Sequence, residues 1–319
     1  MGNYSETVDN LQITSSAIPL PSSFNRKDYL TSLFIALAGA ILFSTKAIIV
    51  KLLYRYHLDA LTVITFRMLM SLPFFATVAV WKTFTSAPLP KSDYGPIIVL
   101  GFLGYYLATF LDFLGLQYIS AGLERLILFL APSFVLLISA VFLKKKISSH
   151  QWLALVVSYA GIALVFMHDA REWGAHVALG SLYVLGSAVS YASYLLLSGE
   201  LVKRVGAIRL VAYVMCVSSA VCITQFLLQD SVSTLMHQPP QVYYLSLANA
   251  IFCTVMPVSL TMIAISRIGA GIASQASMVG PVSTLFLGAW FLNEPITFIQ
   301  IVGTVLVLAG IYFLSRKRE

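Results

Sequence analysis

Ten apolar runs, separated by short polar stretches, leave this 319-residue chain little choice of solvent. They lie near 29–51, 59–81, 95–117, 119–143, 150–168, 177–198, 208–228, 241–264, 268–292 and 296–315. A helix crosses a bilayer with about 20 apolar residues, so ten such segments use most of the chain. Only 10% of the residues are charged and 59% are hydrophobic. Soluble domains carry roughly 25% charged and 45–50% apolar residues. A soluble enzyme is thereby excluded, and no room remains for a soluble partner-binding domain. The continuous alternation of a membrane β-barrel is absent. The expectation is an all-α integral membrane protein, with the lipid bilayer as its first partner.

The formal charge of +7 does not point to nucleic acid, because the basic residues sit at span ends rather than on one face. There they report topology. With the N-terminus cytosolic, the cytosolic segments hold fourteen Lys and Arg, from Arg26 and Lys27 through Lys144–Lys146 and Arg204 to Arg318. The opposite side holds only Lys51, Arg55 and Arg171, and Lys46, Arg67 and Arg125 fall inside spans. This bias places both termini in the cytosol, which requires an even number of spans and agrees with ten. Residues 1–28 are polar and Pro/Ser-rich without an apolar core, and read as a disordered cytosolic tail rather than a signal peptide. Cys216, Cys222 and Cys253 lie in apolar runs with no metal or redox spacing. No cofactor and no metal are expected.

The chain also repeats itself. Shifted by 149 residues, the stretch beginning at Ile119 lies over that beginning at Ile268 without a gap. Ala121 and Gly122 meet Ala270 and Gly271; Pro132 meets Pro281; Gln151 meets Gln300; Ala160–Gly161–Ile162 meets Ala309–Gly310–Ile311. The paired Gly, Pro and Gln interrupt the apolar background at the same places. Each copy, 29–168 and 177–315, holds five runs. Five is odd, so the second copy enters the membrane inverted. The expected fold is ten transmembrane helices arranged as two inverted five-helix repeats. Such halves can open one midplane cavity to either side in turn.

Several motifs carry a resemblance across residues 30 to 315. They are Asp59 followed by Arg67, the AG…P blocks Ala121–Pro132 and Ala270–Pro281, the turn FLNEPIT at Phe291–Thr297, and GTVLVLAGIY at Gly303–Tyr312. In these the chain resembles the EamA-type members of the drug/metabolite transporter superfamily. Two features depart from that pattern. Lys145 stands where the second repeat has Glu294, and FSTK (Phe43–Lys46) replaces the usual Trp-Gly of the first span. The resemblance implies export or exchange of small polar metabolites such as amino acids, without ATP. The chain contains no phosphate-binding loop of the Gly-x-x-x-x-Gly-Lys type.

A charge within a span is costly unless it meets a partner or water. Lys46, Arg67, Asp112, Glu124 and Arg125 are such charges, all in the first repeat and all in the outer half of the membrane, with Arg67 deepest. Two readings stand together: a folding network of ion pairs, and a polar vestibule or gate with one spare positive charge. The guanidinium of Arg67 can fork onto a substrate carboxylate or cap backbone carbonyls; Asp112 and Glu124 are its expected counterions. Either carboxylate could carry a coupling proton. In the second repeat, Tyr183, Ser187, Ser190, Tyr191, Tyr194 and Ser198 trace one face of the sixth span. Ser274, Ser277, Pro281 and Thr284, with Gln275 beside them, mark the ninth, and Tyr105, Thr109 and Asp112 the third. These read either as a cavity lined by hydroxyls and rings or as close helix packing. Pro132 and Pro281 are candidate hinges or static bends.

The expected function is secondary transport of a small-molecule substrate by alternating access, in a membrane such as the bacterial inner membrane. A channel or a non-transporting structural protein is the alternative. An intramembrane enzyme would need an acid/base or metal constellation that the spacing does not provide.

Overall fold

The computed structural model describes residues 26–142, 144, 147–174 and 176–315. The expected tail therefore lies, through residue 25, outside the described residues, as does Lys145. Among the described residues every regular element is helical. Eight helices are long and apolar enough to cross a bilayer. They are α1 (Asp28–Tyr54), α2 (Ala60–Thr85), α3 (Lys91–Leu116), α4 (Ala121–Phe142), α5 (Ser149–Glu172), α6 (His176–Gly199), α7 (Ala207–Gln229) and α8 (Pro240–Gly269). Two further apolar segments follow: α9 over 270–292, of which Val279–Leu292 is the longest unbroken stretch, and α10, Phe298–Ser315. Gly269, at φ 80°, marks the corner between α8 and α9, a conformation that glycine adopts without steric cost.

The helix termini sort onto two faces. On one, Arg204, in the helical continuation of α6 past Gly199, pairs with Asp93 at the start of α3 at 2.8 Å. There Arg209 also donates to the Ala87 carbonyl at 2.8 Å. On the other, Lys51 at the end of α1 meets Glu294 after α9 at 2.6 Å. On the same face Ser120, before α4, donates to Asp169, at the end of α5, at 2.5 Å. Successive helices thus run between the two faces in alternation.

The repeat seen in the sequence is also a repeat of irregularities. In α3 the residues Phe102–Leu107 form a π turn, and in α8 so do Ile251–Val255; their first residues are 149 apart. A π turn loosens the backbone ladder locally, and each copy has a hydroxyl serving it. Ser190 of α6 donates to Leu103 O at 2.8 Å, and Thr254 to Asn249 O at 3.2 Å. Helix α4 breaks between Leu128 and Ala131, and α9 between Ala276 and Val279. Each break lies just before Pro132 or Pro281, whose ring crowds the carbonyl four residues earlier. The prolines themselves sit in the first turn of the resumed helix, where a missing N–H costs least. Helices α5 and α10 both start with a reciprocal cap. Ser148 and Gln151 exchange side-chain and backbone bonds at 2.9 and 3.3 Å, as do Thr297 and Gln300 at 3.2 and 3.3 Å.

The repeats interlock through small residues. A Cβ on Gly161 of α5 would lie 2.7 Å from the Gly303 carbonyl of α10, and one on Gly310 would lie 2.7 Å from the Ala154 carbonyl. Ala154 thus faces Gly310 while Gly161 faces Gly303, so the two helices run antiparallel, and the 149-residue shift turns one contact into the other. In the same way α1 packs along α8 while α6 packs along α3, and α2 packs on α7. Buried Val50, Leu53, Ile64, Met68, Phe113 and Phe226 form the largest core, drawn from both repeats. Outward, Phe34, Trp81, Phe84, Phe142, Trp290 and Phe298 are exposed, an apolar surface suited to lipid.

Candidate functional site

Four of the five charged residues within the spans converge where α1, α3 and α4 meet. Lys46 of α1 forms an ion pair with Asp112 of α3 and lies 3.1 Å from Glu124 Oε1 of α4. Arg125, next along α4, donates to Ser44 Oγ at 3.3 Å and lies over the Phe43 ring at 4.9 Å. Ser44 in turn donates to the Gly280 carbonyl at the break in α9 at 3.2 Å. That carbonyl, in the first turn of the resumed helix, also accepts from Ser283 Oγ at 2.9 Å and Thr284 Oγ1 at 3.0 Å, so the Ser44 contact brings the second repeat to the cluster. A Cβ on Gly280 would lie 2.8 Å from Arg125 Nη2, so only glycine lets the guanidinium approach. All four charged residues are buried, Glu124 completely. Two cations and two carboxylates balance, as burial requires. Among the described residues, Asp112 Oδ1 and both Glu124 oxygens nevertheless make no hydrogen bond.

The fifth charge stands apart. Asp112 and Glu124 go to Lys46, and Arg67 of α2 is in no ion pair among the described residues. Its Nε donates to Thr254 Oγ1, in the π turn of α8, at 2.7 Å. Its guanidinium lies over the Phe113 ring at 5.6 Å, and its buried Nη1 has no hydrogen-bond partner among the described residues. Position along a span gives an expected depth but not the direction in which a side chain points. That is why the counterions expected for Arg67 belong to Lys46 instead.

The aromatic and hydroxyl residues divide. Tyr105 of the α3 π turn meets Tyr194 at 5.4 Å between ring centroids, and Tyr194 stacks on Tyr191 at 5.7 Å. Tyr105 and Thr254 are equivalent under the repeat, so both π turns present a side chain toward the Arg67 region. Tyr194 is buried, whereas Tyr191 and Phe43 are each 37% exposed. Ser187 is buried and Ser190 is committed to the α3 backbone, so part of the α6 stripe packs against helix rather than space. Gln275 is exposed; the side chain of Ser274 lies outside the described residues.

Glu294 belongs to the FLNEPIT turn and differs from its repeat counterpart, Lys145. In the structure its carboxylate takes Lys51 and accepts from the Ala121 N–H, at 3.3 Å through Oε1 and 3.1 Å through Oε2. It borders a cavity of about 290 Å³ lined also by Tyr54, Arg55, Leu116, Gln117 and Leu292. The sequence signal was a carboxylate in a turn whose repeat counterpart is a lysine.

The profile of the EamA-like transporter family matches residues 30–167 and again 178–316. The uncharacterized transporter YcbK of Bacillus subtilis is 32% identical over 294 residues, covering 89% of this chain and 91% of that protein. An uncharacterized transporter of Archaeoglobus fulgidus is 29% identical over 230 residues, covering 71% of this chain and 79% of that one. A solved structure, titled only as a crystal structure of a protein, superposes with a TM-score of 0.60 at 16% identity, over 89% of this chain and 96% of that one. The relatives carry transporter names and the helices are those of a multi-pass membrane protein; the chain belongs to the EamA-like transporter family.

Proposed function

We propose that this protein is a ten-span secondary transporter of small polar or amphipathic metabolites, amino acids among them, working by alternating access as an exporter or exchanger. Segments α9 and α10 complete the span count, residues 29–168 and 177–315 form two inverted repeats, and residues 1–28 form a cytosolic tail. The antiparallel α5–α10 contact and the paired π turns support the inversion. The Arg204 face is the cytosolic one, because Lys and Arg concentrate in its loops, and the bacterial inner membrane is the fitting location. A cysteine at position 2 or 318 should then resist an impermeant thiol reagent in intact cells; ready labelling at either would reverse the topology.

One observation carries the functional reading: a buried guanidinium with an unpartnered Nη1, beside a balanced ionic cluster, at the meeting of both repeats. A buried unpaired cation is expensive, and a substrate carboxylate would supply the missing partner with a forked, charge-assisted bond. Lys46, Asp112, Glu124 and Arg125 form the neighbouring gate, with Tyr105, Tyr191 and Tyr194 as the aromatic wall. Ser187 lies on α6 with that wall, and Ser274 and Gln275 lie on α9. Phe43 and Tyr191 are the exposed edge of the route inward. Pro132 and Pro281 mark the two bends at which closure turns. Asp112 or Glu124 takes up a coupling proton when Lys46 turns to the other carboxylate.

The test is counterflow into proteoliposomes preloaded with amino acids, nucleosides or organic acids, with and without a pH gradient. Saturable exchange of one class supports the reading, and a pH-gradient effect supports coupling. Folded protein that exchanges none of them, or that conducts without saturation, overturns it.

A further inference from the structure

The geometry points to Glu294 as the latch of the external gate, a single carboxylate that ties α9 to α1 and α4 on the outer face. This rests on the alternating-access reading and on the orientation proposed above. Four observations converge. Asn293 adopts a left-handed conformation, φ 58°, and turns the chain directly after α9; asparagine accepts that conformation better than most residues. The turn is fixed by Glu294 N–H donating to Gly288 O at 3.2 Å. Gly288 lacks a Cβ where one would stand 3.2 Å from Glu294 Oε2. From this anchored position the carboxylate spans two helices: Lys51 Nζ of α1 at 2.6 Å and the first N–H of α4, Ala121, at 3.1 Å. The side chains of Lys51 and Glu294 are only 12% and 10% exposed, so water screens the pair weakly.

The latch sits above the site. On α1, Ser44, Ile48 and Lys51 follow one another at helical spacing on one stripe. Ser44 reaches Gly280 of α9 and Lys51 reaches Glu294, while Ile48 between them is buried. Separating α9 from α1 on this face must therefore break the Glu294 contacts before it can uncover Ile48. The cavity of about 290 Å³ beside Glu294 lies on the outer side of these contacts, where water can reach the carboxylate and solvate it as it lets go.

The counterpart of Glu294 in the first repeat is Lys145, outside the described residues, and that of Lys51 is Glu200, so the inverted positions carry the same two charges exchanged. Lysine has donors and no acceptor, so Lys145 cannot take a helix N–H as Glu294 takes that of Ala121.

The experiment replaces Cys216, Cys222 and Cys253 by alanine, places a cysteine at Ile48, and measures its labelling by an impermeant maleimide in right-side-out vesicles. Wild-type Glu294 should label slowest, Glu294→Gln at least tenfold faster, and Lys51→Gln between them. The double exchange Lys51→Glu with Glu294→Lys restores the ion pair without the helix contact, and should also fall between. Thermal melting of each variant in detergent identifies any that do not fold, and Lys51→Gln then stands in for Glu294→Gln. Equal labelling of wild type and folded Glu294→Gln overturns the latch, as does a double exchange that labels faster than Glu294→Gln. Labelling reports opening whether or not a substrate is found, so failure of the transport assay and failure of the latch remain distinct.

Discussion

Lys46, Asp112, Glu124 and Arg125 belong to the first repeat; the residues 149 positions later are Leu195, Thr261, Ala273 and Ser274. Around these unlike residues the backbone does many of the same things in both halves, although the π turn Gly288–Leu292 has an α-helical counterpart through Phe142. It makes π turns at 102 and 251, breaks before Pro132 and Pro281, caps at Ser148 and Thr297, and takes left-handed residues at Lys144 and Asn293. The second repeat holds this plan without charges in the corresponding places. The ionic cluster is thus a feature of one repeat laid on a backbone plan that both share.

The comparison can be broken most sharply at Lys46. Lys46→Leu copies the second repeat but strands two buried carboxylates, and should cost about 3–5 kcal/mol, read as a fall in melting temperature. Carrying the copy through, with Lys46→Leu, Asp112→Thr, Glu124→Ala and Arg125→Ser together, should restore most of that stability while transport stays lost. A quadruple variant less stable than the single one would show the cluster to be structural.

Next in size is the interlock that both repeats share. Gly161→Val drives a side chain into α10, and should destabilise by up to about 3 kcal/mol. Gly95→Ala, where a Cβ would meet nothing within 4 Å, should instead gain up to about 1 kcal/mol from helix propensity. Arg67→Lys keeps the charge and loses the fork, so kcat/KM for a carboxylate substrate should fall at least tenfold, about 1.4 kcal/mol, with expression preserved. Wild-type transport by folded Arg67→Ala would remove the residue from the site. The smallest effects belong to the caps. Ser148→Ala and Thr297→Ala should each cost about 1 kcal/mol, and unequal losses would mark the halves as less alike than their backbones.

The sequence made the repeat and its shift legible, because Gly, Pro and Gln stand out against an apolar background. It could not show the π turns. FLGYYL and IFCTV share no residue pattern that distinguishes them from ordinary helix, since the bulge is set by what α6 and α2 present to the backbone. Nor could it show which carboxylate meets which cation. Span position gives depth, while partner choice depends on helix rotation about its axis. Glu294 was visible as an unmatched charge, but its reach to Lys51 and Ala121 spans 243 and 173 residues of chain, a closure only the assembled bundle makes.

The interlock of α5 with α10 has a consequence in time rather than in space. Helix α5 reaches the membrane while α10 is still unsynthesised, so the Ala154–Gly161 face meets lipid first and its proper partner last. During that interval a surface shaped for close, antiparallel contact waits beside every other newly inserted chain. Since the contact requires a neighbour of opposite orientation, and chains inserted by the same charge bias all point one way, nascent copies cannot satisfy one another. The polarity of the inverted pair thus protects the half-made protein from premature pairing, and reserves the groove for its own last helix.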